Sequence, residues 1–77
     1  MSEKYINIEA LRIERLKKKI TLRNMAKLLG FKSAASYYNI EKGKIYPKIN
    51  VMIDISRILE KPVDYFFYQE SSTKINK

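Results

Sequence analysis

Cysteine and histidine are both missing from this chain. The first absence excludes disulfides, and the two together leave zinc with carboxylates alone, a poor ligand set. The pair also removes the thiol nucleophile and the commonest general base. The acids Glu9, Glu14, Asp54 and Glu60 are scattered, so no paired carboxylate or nucleophile–base arrangement emerges. An enzyme is not expected, and no cofactor or metal is called for. Long hydrophobic runs are missing too, and Glu3 and Lys4 precede no apolar signal segment, so neither secretion nor membrane spanning is supported. A cytoplasmic protein is the expectation. No basic stretch is strongly amphipathic with exposed Trp or Phe, which weakens the case for an anionic membrane surface.

Acidic residues are scarce: eight against sixteen Lys and Arg, for a formal charge of +8 in 77 residues. Residues 12–48 hold eleven of the basic side chains and only Glu14 and Glu41 in return, so that stretch is +9 and the remainder −1. A solvated face needs charge but not charge of one sign. Such concentration suits a polyanion, because neutralising phosphates releases counterions and supplies binding free energy.

The length suits one small domain with no appended ligand-sensing domain, helical packing around a modest core, and dimerisation as an aid. Residues 1–7 show no period and read as a flexible N-terminus. A first helix is predicted over 8–19, with Asn7 as cap and Ile8, Leu11 and Leu16 inward. Its Lys17-Lys18-Lys19 end places cations where the helix dipole favours them. Leu22, Met25, Ala26 and Leu29 recur at i, i+3, i+4 and i+7, one apolar face of a second helix between a Thr21 cap and Gly30. Ser33 is positioned to cap a third helix with Tyr37 and Ile40 inward, closed by Gly43. After a loop ending at Pro47, Ile49, Met52, Ile55, Ser56 and Leu59 are spaced for burial on a fourth helix. Pro62 opens a short fifth one, with Val63, Phe66 and Phe67 as a lid. The domain then covers 8–68, and 69–77 is a polar C-terminal tail.

Two helices joined by a brief turn in so basic a chain point to a helix-turn-helix. The order of landmarks resembles the lambda repressor-like, Cro/C1-type (XRE) helix-turn-helix family. The matching residues are Leu11 with Arg15, T-x-x-x-M-A-x-L-L-G from Thr21 to Gly30, and I-E-K-G from Ile40 to Gly43. Pro47, I-x-x-M-x-x-I-S-x-x-L from Ile49 to Leu59, and D-Y-F-F from Asp64 complete the set. The resemblance implies an all-α, compact five-helix DNA-binding domain. In that family the Glu matching Glu41 commonly meets the helix-one Arg matching Arg15, which implies a structural bridge between them. Two features depart from the pattern. The turn Gly30-Phe31-Lys32-Ser33 is one residue longer than the family's common turn, and Leu22 stands where many members carry a polar side chain that reaches a phosphate.

With Tyr37 and Ile40 inward, Ala35, Tyr38, Asn39 and Lys42 lie on the opposite face, at about 100° per residue. Ser33 and Ala34 form the tip that enters the major groove first in this motif, followed by Ser36. Asn39 can pair with adenine N6 and N7, and the Ala34 and Ala35 methyls suit thymine methyls. Tyr38 can donate to a phosphate or pack on a sugar. Arg23, Lys32, Lys42, Lys44 and Tyr46 are the expected phosphate contacts. Blander readings stand beside these: Ala34, Ala35 and Ser36 can serve close helix packing, Tyr38 can be a surface aromatic, and each lysine alone is an ordinary surface lysine.

The leading function is a sequence-specific double-stranded DNA-binding transcriptional regulator, a small phage or mobile-element type of repressor acting by promoter occlusion. Its partners would be double-stranded DNA and a second copy of the chain, with no membrane and no small-molecule ligand in evidence. Tyr65, Phe67 and Tyr68 offer an aromatic surface for self-association. The alternative is a protein-interaction module on the same fold, antitoxin-like or an adaptor, served by Tyr5, Tyr46, Tyr65 and Tyr68.

Overall fold

Asn7 opens helix α1 (Ile8–Lys17): its side-chain oxygen accepts from the Ala10 amide at 3.2 Å, satisfying one donor that a helix start leaves unpaired. In this computed structural model, which describes residues 4–69, helix α2 (Leu22–Leu28) starts the same way. Thr21 Oγ1 accepts from the Asn24 amide at 3.0 Å. Helix α3 (Ala34–Glu41) does not. Ser33 occupies its N-cap with extended backbone, but its hydroxyl turns to the Ser36 hydroxyl at 3.4 Å and makes no cap bond, which corrects the capping expectation. Helix α4 (Ile49–Leu59) and a 3-10 helix (Val63–Phe66) follow. Among the described residues the helices are therefore four α-helices and one 3-10 turn, where a five-helix domain was expected. Pro62 fixes the entry to that turn, but four residues are too few for an α-helical ladder.

Every α-helix ends through a left-handed residue that lets two later amides bond back into the last turn. Gly30 (φ 81°) and Gly43 (φ 78°) do this after α2 and α3. Lys19 (φ 59°) does it after α1, with the Ile20 amide donating to the Arg15 carbonyl at 3.2 Å. Glu60 (φ 61°) does it after α4. The first helix thus stops at Lys17, two residues short of the predicted end, because Lys19 has left helical space.

The core gathers Leu11, Met25, Ala26, Tyr37, Ile40, Met52, Ile55, Leu59 and Phe66. Burying each large member contributes about 1.5–3 kcal/mol. α2 packs mainly on α3, α1 lies across α3, and the 3-10 helix bridges α4 and α1. Val63, Phe67, Ile8, Leu22 and Leu29 are half-buried around this centre. Leu16 and Ile49, expected inward, are instead 51% and 65% exposed. On α1 the inward face is Leu11, Glu14 and Arg15, so the i+3 and i+4 places are filled by charged residues. Ile49 is the first residue of α4 and projects before the helix meets the core.

Two three-residue strands, β1 (Lys4–Ile6) and β2 (Phe67–Gln69), pair antiparallel with Lys4 opposite Gln69 and Ile6 opposite Phe67. Residues 4–6, expected within a frayed segment, are thus held in a ribbon, and Gln69 belongs to it rather than to the tail. The rest of that tail, residues 70–77, lies outside the described residues. The Asn7 amide extends the link by donating to the Phe66 carbonyl at 2.8 Å. No helix among the described residues is long and apolar enough to cross a membrane.

Candidate nucleic-acid interface

Helix α3 is presented by two fixings on its inner side. Tyr37 and Ile40 enter the core, and Glu41 is clamped to α1. Arg15 Nε donates to Glu41 Oε2 at 2.7 Å and Arg15 Nη2 to Glu41 Oε1 at 3.1 Å, a bidentate pair whose side chains are 8% and 4% exposed. Arg15 Nη1 also donates to the Ile20 carbonyl at 2.8 Å, which ties the pair to the turn before α2. Hydrogen bonding to Glu41 raises the guanidinium pKa further. The carboxylate is thereby kept off the outer face, where it would repel phosphate. Among the described residues the buried Tyr37 hydroxyl has no hydrogen-bond partner. Burial first, then the nearby Glu41 carboxylate, pushes its ionisation far above the ordinary phenol range.

The outer face of α3 carries exposed Ser33, Ala35 and Tyr38, with Ala34, Ser36 and Asn39 half-buried between them. Three shallow concavities surround it, and they divide the predicted phosphate contacts other than Lys44. At the N-terminal end, Arg23, Lys27, Lys32, Ser33 and Ala34 line one of about 390 Å³. Arg23 and Lys32 therefore meet there. So does Lys27, which sequence reasoning left out of the site. The signal for it was present: Arg23 and Lys27 are four apart on one helix, hence neighbours on its surface.

Tyr38 and Lys42 line a second concavity between α3 and α1, together with Arg12, Glu9 and Leu22. Lys42 Nζ sits 5.6 Å from the Tyr38 ring centroid, within cation–π reach. Arg12 is a cation that the sequence reading did not place here, although Glu9 already pairs with it at 3.0 Å. Lys44 is exposed beyond Gly43. Tyr46, 66% exposed, stands on a third concavity shared with Ser36, Ile45, Pro47 and Lys48. Among the described residues no group of acids converges as a metal site would require.

Of the expected aromatic surface near the end of the chain, Tyr65 is 45% exposed and Phe67 is the half-buried member. Tyr65 donates its hydroxyl to Glu14 Oε2 at 2.7 Å, and Phe67 is half-buried against the core. The side chains of Tyr5 and Tyr68 lie outside the described set, although their backbones pair in the ribbon.

A helix-turn-helix family model matches residues 11–66, from the buried Leu11 through α2 and α3 to the buried Phe66. The chain belongs to the Cro/C1-type helix-turn-helix family. That family is one of DNA-binding transcription regulators and is generally non-enzymatic. No curated protein matches the chain.

Proposed function

We propose that this helix-turn-helix protein is a sequence-specific reader of double-stranded DNA, a small repressor of the phage or mobile-element type that acts by occluding promoter DNA. One observation carries the reading: the outer face of α3 is uncharged along Ser33, Ala34, Ala35, Tyr38 and Asn39 and has cations at both ends. Arg23, Lys27 and Lys32 stand together at its start, and Lys42 and Lys44 at its finish. Phosphates bind at the ends and fix the register, while the uncharged middle meets base edges. The Ala34 and Ala35 side chains are short enough to let the helix sink toward thymine methyls, and Asn39 supplies the bidentate adenine contact. The exposed Ser33 hydroxyl, which makes no cap bond and meets only the Ser36 hydroxyl at 3.4 Å, adds a phosphate donor at the helix start. Occlusion needs nothing beyond occupancy of the promoter.

The test is selection of bound duplexes from a randomised pool at about 150 mM salt, which suppresses purely electrostatic binding. An enriched palindrome is the expected result, and Asn39→Ala should relax preference at one base position. Weak binding that vanishes with salt and enriches nothing would favour the interaction-module reading, for which the exposed Ile45, Tyr46 and Ile49 are the supporting surface.

A further inference from the structure

One cleft beside α3 contains an acid that DNA binding leaves without a task. Glu9, Arg12, Arg15, Glu41 and Lys42 are the charged side chains that line the concavity of about 390 Å³ between α1 and α3. Arg15 and Glu41 satisfy each other and are almost wholly buried. Glu9, Arg12 and Lys42 are therefore the charges free to respond to a ligand. Lys42 Nζ stands over the Tyr38 ring. Arg12 Nη2 donates to Glu9 Oε2 at 3.0 Å, with side chains 50% and 63% exposed. So open a pair is weak, because water screens it and two flexible side chains must be held in one geometry. To a guanidinium, a carboxylate and a phosphate offer the same kind of anionic acceptor.

We propose that Glu9 occupies, beside Arg12, the place that a DNA phosphate takes when α3 docks, so that binding here exchanges one anion for another. The proposal rests on the DNA-reading function above and adds to it a further cation and an internal competitor. Arg12 belongs to α1 and Lys42 directly follows α3, so a phosphate seated in this cleft is held from both helices. Before docking, Glu9 neutralises Arg12. After docking, the carboxylate is left beside a phosphate with its partner gone. Both effects lower the sequence-independent hold that so basic a surface has on DNA. Glu9 also lies in the first turn of α1, where an acid suits the helix dipole. That benefit is the same with and without DNA, so a binding measurement separates the two roles.

Fluorescence anisotropy of the full chain with a labelled duplex of mixed sequence, at salt concentrations around about 100 mM, tests the exchange. Arg12→Ala should lower the slope of log affinity against log salt by about 0.9. Glu9→Gln should tighten binding by about two- to fivefold, the worth of one exposed ion pair. The gain should shrink when Glu9→Gln is made in the Arg12→Ala background. Asp54→Asn is the control: it raises the net charge equally and breaks another i, i+3 pair, with Arg57, yet Asp54 lines none of the concavities around α3. Its gain should be smaller than that of Glu9→Gln. Unchanged or weaker binding by Glu9→Gln would overturn the proposal. So would an unaltered slope in Arg12→Ala, an equal gain in both backgrounds, or an equal gain from Asp54→Asn. Each of those results, obtained with a parent chain that binds duplex, leaves the DNA-reading function standing. A parent chain that binds no duplex even at low salt removes both.

Discussion

Arg15→Ala removes one half of a buried ion pair and leaves the other half stranded. Glu41 would keep a carboxylate that is 4% exposed, with both Arg15 donors gone. The Ile20 carbonyl would lose its side-chain donor as well. Stranding a buried charge costs about 3–5 kcal/mol. A chain of this length has a total stability of about 4–12 kcal/mol, so the loss is a large share of it. At about 4–8 °C per kcal/mol, the Tm falls by at least about 12 °C. Lys17→Ala is the matched control on the same helix. Lys17 is 66% exposed and reaches Glu14 at 3.6 Å, a contact worth at most about 1 kcal/mol. Thermal melts followed by far-UV circular dichroism separate the two variants, and repeating them in about 1 M salt should leave the Arg15 effect nearly intact, because the pair is shielded from ions. The double replacement Arg15→Met with Glu41→Leu should be less damaging than Arg15→Ala, since no charge is left behind. Equal melting temperatures for Arg15→Ala and Lys17→Ala, or an Arg15 effect that salt abolishes, would refute the reasoning.

Three further outcomes follow from the same geometry. Lys27→Ala should lower the slope of log affinity for duplex DNA against log salt by about 0.9. Lys18→Ala should leave that slope unchanged, because Lys18 is committed to Glu60 at 2.9 Å. Gly30→Ala should cost about 1–2 kcal/mol for the left-handed backbone alone. Gly43→Ala should cost more by denaturant titration, since its new Cβ would also meet Ile8 Cδ1 at 3.3 Å. The Tyr65 hydroxyl, with burial opposing and Lys17 and Lys61 assisting, holds the Glu14 carboxyl below the ordinary range. A depressed folded-state pKa gives stability that is present above the unfolded value and lost as pH falls through the folded one. Melts between about pH 5 and pH 2 should therefore show a shallower acid loss in Tyr65→Phe than in the parent, and identical profiles would exclude the contact.

The helix-turn-helix pair was readable because local signals agree there. Thr21, Gly30 and Gly43 mark ends whose geometry depends on those side chains or their absence, and Met25, Ala26, Tyr37 and Ile40 carry the period. What escaped notice depends on distant partners. Glu14 turns inward only because Tyr65, 51 residues further on, arrives to satisfy it, and the Arg15–Glu41 pair, 26 residues apart, was within reach only through the family resemblance. A rule that buries apolar residues chooses Leu16 instead. The strands of the ribbon are too short for a period of two to show, and each is formed by the other. Lys19 and Glu60 end their helices without the glycine that would announce it. For the candidate site, helix α3 could be picked out and the i, i+4 spacing of Arg23 and Lys27 was there to be read, but Arg12 comes beside it through a groove between helices that no linear pattern encodes.

The ribbon of β1 and β2 also settles how the molecule answers to force. Lys4 and Gln69 sit opposite each other at the same end of an antiparallel pair. A load applied through these two positions meets one rung of the ladder at a time and peels it open, as a zipper opens, instead of straining all rungs together. The next link is the single bond from the Asn7 amide to the Phe66 carbonyl, and behind it stand α1 and the buried Phe66. Mechanical extension should therefore begin at low tension with release of the ribbon. It should then stall until Leu11 and Phe66 are drawn from the centre, which makes the core the fuse and the ribbon only its slack.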